Sequence, residues 1–155
     1  MTAPAERRTA DRLPRESRHR ARECALQLLY QWEVGRLPID DVLESFWVEG
    51  PPEAVALSEP LRAFAAALVR GVAGQMEQLD PVIAEAAQHW RLERMNVLDR
   101  LILRLSVYEF LYQPETPAKV VINEALELAR TFSGDESVRF VNGILDGIRK
   151  TINRE

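Results

Sequence analysis

The stretch Asn96–Tyr112, NVLDRLILRLSVYEFLY, constrains the fold more than any other part of the chain. On a helix, at about 100° per residue, Val97, Leu98, Leu101, Ile102, Leu105, Tyr108, Leu111 and Tyr112 fill a face wider than the apolar stripe of a surface helix. The other side carries Asp99, Arg100, Arg104, Ser106 and Glu109 together with Leu103, Val107 and Phe110 at i, i+4, i+7. This second apolar stripe, edged with charge, needs a cover: another helix of the chain or a separate protein. A helix with apolar demand on both sides sits between two packing units. The expected fold is therefore a small all-helical domain in two halves joined through 96–112.

With 155 residues the chain is long enough for one domain with a real core. Cys24 is its single cysteine, so no disulfide forms within it. Cys24, His19 and His89 make none of the usual zinc sets and leave little for a nucleophilic triad. No metal, no cofactor and no enzymatic activity are expected. The arginine-rich N-terminus lacks the apolar core of a secretory signal, and no apolar run approaches the ~20 residues of a membrane span. A soluble, cytoplasmic protein is the expectation.

Charge is unevenly distributed. Residues 1–22 hold seven arginines against Glu6, Asp11 and Glu16, a local +4, so with a net charge of −4 the remainder carries −8. A basic arm on an acidic body suits a polyanion at the arm and a basic protein on the body.

Residues 1–17 read as a mobile basic arm and 18–155 as the folded domain, with Ser17 as a helix cap. Ala21, Cys24, Ala25, Leu28 and Trp32 give Arg18–Val34 a helical period that stops at Gly35. Arg18, Arg22, Leu26 and Tyr30 form an i, i+4 ladder along it. Cations in the first turns oppose the helix macrodipole, so stability alone does not favour them. They are either a solvated basic arm or phosphate contacts next to an aromatic ring on which a base can stack.

Further helices follow on Ile39–Trp47, on 58–76 and, from an Asp80-Pro81 start, through Trp90. Val82, Ile83, Ala86, Ala87 and Trp90 mark the buried side of this last one, with His89 on the surface. Gly71 and Gly74 suggest close helix contact. Beyond the central helix, Pro114 and Pro117 separate it from a helix on Val121–Phe132. The final helix, capped by Asp135, Glu136 or Ser137, has Val141, Ile144, Leu145, Ile148 and Ile152 inside and Gly143 as a close-approach point. The segment 48–60 is not distinctive.

Three segments, RHRARECALQLLYQW (18–32), LDRLILRLSVYE (98–109) and VVINEALELARTFSGDESVRFVNGILD (120–146), together resemble the NusB family of bacterial transcription antitermination factors. The motifs RxARExAxQxLYxW, INEAxELA and FVNGxLD, in this order, are highly specific to it, and the resemblance runs from Arg18 to about Gly147. It implies an all-α, NusB-like bundle of about seven helices in two three-helix subdomains. It further implies that the protein holds single-stranded boxA RNA of ribosomal RNA operon transcripts together with NusE, a small-subunit ribosomal protein, so that RNA polymerase reads through terminators. The implied RNA-contacting residues are Arg18, Arg20 and Arg22, with Gln27 and Tyr30 following, and Glu136, Ser137, Arg139 and Phe140 at the last helix. His19 stands where an arginine is frequent. The implied NusE surface matches Asp99 and Arg100, and the apolar stripe adds Leu103, Arg104 and Val107.

Arginines would fix the RNA backbone, Tyr30 and Phe140 would stack on bases, and Gln27 and Ser137 offer hydrogen bonds to base edges. Phe140 reads equally as a core residue, and the stripe on 96–112 equally as packing within the chain. Two other functions fit less fully. NusB-like domains also precede ribosomal RNA cytosine methyltransferases as RNA-positioning modules, but this chain ends at Glu155 without that enzyme's motifs. A protein-only adaptor or homodimer would use the stripe and arm for self-association.

Overall fold

The computed structural model describes residues 15–154. Among these it contains eight α-helices, one 3-10 turn and no strand. They are α1 Arg15–Gly35, α2 Ile39–Glu49, α3 Pro52–Val55, α4 Glu59–Gly74, α5 Met76–Ala86, the turn Leu92–Arg94, α6 Val97–Tyr112, α7 Ala118–Phe132 and α8 Asp135–Thr151. The chain forms two compact units that meet in sequence at Arg70/Gly71, inside α4. The two-part, all-helical expectation holds. The junction does not lie on 96–112, since α6 belongs wholly to the second unit.

In the first unit α1 packs on α2 and α3, and α2 on α3. Ala21, Cys24, Ala25, Leu28 and Leu29 line the buried side of α1. They meet Val42, Leu43 and Phe46, also buried, as the helical periods of both segments require. The helix begins at or before Arg15, so Ser17 lies inside it and is not its cap. The rest of the expected arm, residues 1–14, lies outside the described residues. The segment 48–60 holds a one-turn helix that its Pro51-Pro52 pair starts, Pro52 taking a position where a missing N–H costs nothing.

The second unit is built around α6, which packs against α5, α7 and α8. Every residue from Leu101 to Val107 is buried. Asn96 caps the helix, its side chain accepting from the Leu98 N–H at 2.8 Å. The boundary before it differs from the expected one. The helix expected over 58–76 stops at Gly74, and α5 starts at Met76, so Pro81 sits inside α5 and not at its first position. Glycine is a poor helix former and ends one helix here. Pro81 falls in the second turn of the next. Asp80, released from capping, pairs with Arg104 through two bonds of 2.9 and 3.0 Å. Because α5 ends at Ala86, Trp90 lies beyond it and is 58 % exposed.

Gly134, with φ of 154°, turns the chain into α8; Asp135 and Glu136 form the first helical turn, where their charge suits the macrodipole. A Cβ at Gly74 or Gly143 would meet nothing within 4 Å, so neither marks a close approach. Gly71 does: a Cβ there would run into the Tyr108 ring. That ring stacks on Tyr112 with centroids 5.0 Å apart. Gly71→Ala is expected to displace the stacked pair and lower stability by about 1–3 kcal/mol, read by thermal denaturation. An unchanged or higher melting temperature would show that the ring yields without cost.

Candidate nucleic-acid interface

The first cluster lies on α1 in the first unit. Arg20 and Tyr30 are exposed and Arg18 and Gln27 half-buried. Arg20, Gln27, Tyr30 and Gln31 fall on one side of the helix, with Glu23 between them. Together they present a guanidinium, two amides and a phenol ring along about three turns. Exposed Val34 continues the face. His19 lies 3.7 Å from the Glu23 carboxylate. Such a face can contact phosphates through Arg20 and support an unstacked base on Tyr30.

Arg22 does not belong to that face. Only 2 % exposed, it places its guanidinium 5.3 Å from the centre of the Phe64 ring, a cation–π contact within the same unit. Its expected role as an RNA contact is corrected to one in the core. The reason is geometric: each i, i+4 step rotates by about 40°, so the ladder leaves half-buried Arg18, crosses the core side of the helix at Arg22 and Leu26, and comes out at exposed Tyr30. Leu26, 1 % exposed, lies on the buried part of that path. Cys24 has its thiol pushed up to about 11 by burial, with Glu23 and Glu53 adding to the effect; such a thiol is no nucleophile at neutral pH.

The second cluster lies in the second unit. The start of α8 and the segment between α5 and α6 enclose a cleft of about 270 Å³ lined by Trp90, Arg94, Met95, Asn96, Asp99, Glu136, Ser137 and Phe140. The Trp90 and Phe140 rings meet edge to face, centroids 5.6 Å apart at 80°. Phe140 is half-buried, and Glu136 and Arg139 are exposed. The buried Ser137 hydroxyl lies 2.6 Å from that of Ser133 and also hydrogen-bonds Asp99. Burial raises the Asp99 carboxyl above its ordinary range, the Ser137 bond opposing this and the Glu136 charge adding to it.

Three of the RNA-contacting residues expected on α8 thus share one cleft with Asp99, which was expected on the protein-binding surface. Sequence reasoning missed Trp90, Arg94, Met95 and Asn96. Trp90 had been absorbed into the apolar period of the preceding helix; the signal for its exposure was the polar run Gln88-His89 next to it.

The expected partner surface on α6 needs correction. Leu103 and Val107 are 0 % exposed and Arg104 6 %, the last engaged with Asp80. All three are core residues, because the charged edge of the stripe is itself paired and buried. Arg100 is partly exposed and donates to the Leu92 carbonyl at 3.1 Å, holding the turn before α6. Among the described residues no three His, Cys, Asp or Glu side chains are grouped to hold a metal ion, and no helix is long and apolar enough to cross a membrane.

A model described as the NusB family matches residues 19–150. The chain is 43% identical over 139 residues to the transcription antitermination protein NusB of Koribacter versatilis, covering 90% of this chain and 92% of the relative. Among solved structures it is similar to T. maritima NusB, with a TM-score of 0.78 and 32% identity over 89% of this chain and 92% of that one. A crystal structure of antitermination factors NusB and NusE in complex with dsRNA shares the fold, at a TM-score of 0.77 and 23% identity, over 88% of this chain and 98% of that one.

Proposed function

The chain belongs to the NusB family, and from that premise we propose that it is a transcription antitermination factor: a binding protein, not an enzyme, that acts on nascent RNA in the cytoplasm. The match over residues 19–150, nearly all of the described fold, carries this reading. The RNA it holds is single-stranded boxA of ribosomal RNA operon transcripts, and its protein partner is NusE.

The residues supply a physical route. On α1, Arg20, with Arg18 beside the helix start, neutralises phosphates, and Tyr30 and Gln27 meet a base by its face and its edge. On α8, Arg139 serves the backbone, while Phe140, Ser137 and Glu136 lie at the cleft. Phosphate contacts supply affinity with little sequence preference, whereas aromatic faces and edge hydrogen bonds favour unpaired bases. Of the residues first assigned to NusE, Arg100 keeps a partly exposed side chain and stays in that role. Asp99, nine-tenths buried at the cleft, is set apart from it.

Reconstituted transcription tests the proposal. With a boxA-bearing template and NusE present, adding this protein is expected to raise read-through of a downstream terminator, and scrambling boxA to remove the gain. Read-through that is the same with and without the protein, at concentrations where it is folded, would rule out the antitermination role.

A further inference from the structure

Resting on the RNA-binding reading above, we propose that the cleft between Trp90 and Phe140 receives a single unstacked guanine, read by the Asp99 carboxylate. Nothing in the family match assigns Trp90 or makes Asp99 a base contact. The inference starts from a buried group left incomplete. Asp99 is only 7 % exposed, it lines the cleft, and its Oδ1 is buried without a hydrogen-bond partner. A buried acceptor in this condition is costly, so it calls for a donor. Ser137 bonds the same carboxylate and in turn contacts Ser133, which holds the group in place.

The surroundings select the donor's carrier. Trp90 is more than half exposed and meets Phe140 edge to face, so an aromatic surface stands open beside the acceptor. At about 270 Å³ the cleft lies near the lower limit of small-molecule sites, ~300 Å³, a size for one base but not for a paired helix end. Guanine presents two adjacent donors, N1–H and N2–H, to a carboxylate. Uracil offers one N–H flanked by two carbonyl oxygens that the carboxylate repels, and adenine and cytosine each set an amino group beside a ring acceptor. Two carboxylates at the cleft disfavour a phosphate inside it. Arg94 at the same cleft and the N-terminal turn of α8 favour phosphates at its mouth.

Fluorescence anisotropy with the full chain tests this using a short labelled oligouridine, the same RNA with one central guanosine, and a third with inosine there, which lacks the 2-amino group. The guanosine RNA is expected to bind about tenfold more tightly than oligouridine, with inosine between them. Asp99→Asn, a close isostere, should bring the guanosine advantage to within about twofold while leaving oligouridine binding unchanged. Trp90→Ala, at an exposed position, should weaken guanosine RNA by about tenfold without loss of fold. Equal binding of the guanosine RNA and oligouridine by the unaltered protein, or an advantage that survives Asp99→Asn, overturns the proposal. So does an arginine-rich peptide whose binding Asp99→Asn abolishes while base preference stays intact, which would give the cleft to a cationic protein side chain. Failure of every RNA to bind would instead remove the RNA-binding reading on which the proposal rests.

Discussion

Leu103→Ala is expected to destabilise the protein by about 2–5 kcal/mol, the range for removing a fully buried leucine side chain. Leu103 has no exposed surface and lies in the run 101–107 that is buried throughout. The loss has two parts, the transfer free energy of the removed methyl and methylene groups and the cavity that α6 cannot close. Leu103→Met, which keeps the volume, should cost less than about 1.5 kcal/mol. Urea denaturation of both variants separates core from surface. A Leu103→Ala protein as stable as the unaltered chain but unable to bind NusE would return this residue to the partner surface.

Replacing Arg20 and Tyr30 together with alanine should lower affinity for single-stranded RNA by about a hundredfold, combining the loss of one phosphate contact with the loss of one stacking face. Both residues are exposed on the same side of α1, so stability should stay within about 0.5 kcal/mol. The salt dependence identifies the arginine's part: the slope of log affinity against log salt should become shallower by about 0.7. Arg22→Ala is the contrast. It removes the contact over Phe64, so it should reduce stability and leave the slope unchanged. If Arg22→Ala altered the slope while Arg20→Ala did not, the assignment of the two arginines would be reversed.

The helical fold was legible because each long element repeats its apolar residues near every third or fourth position, and burial follows that repeat on α1, α6, α7 and α8. Where several residues had to be placed on one side of a helix, spacing alone misled. Arg22 stands four residues after Arg18 and eight before Tyr30 on one ladder, yet the rotation along the helix carries it inside. The stripe Leu103, Val107 and Phe110 was ambiguous for another reason. A charged edge looks solvated in sequence, and only the Asp80–Arg104 pair, 24 residues apart, shows it to be folded inward.

The cleft was less legible still. Trp90 and Phe140 are remote in sequence, and no local pattern indicates that a ring beyond the end of α5 meets one on α8. Nor could it be read that Asp99 and Ser137, assigned to different partners by resemblance, share a hydrogen bond. Gly71 lay between these cases: its position inside a helical repeat signalled a close neighbour, but that neighbour's identity, Tyr108, required the fold.

The most direct test of the central claim is fluorescence anisotropy of a labelled single-stranded boxA RNA titrated with this protein, with and without NusE, at two salt concentrations. Binding that weakens with salt and is strengthened by NusE is the predicted result. No binding in either condition, by protein shown to be folded, would contradict it.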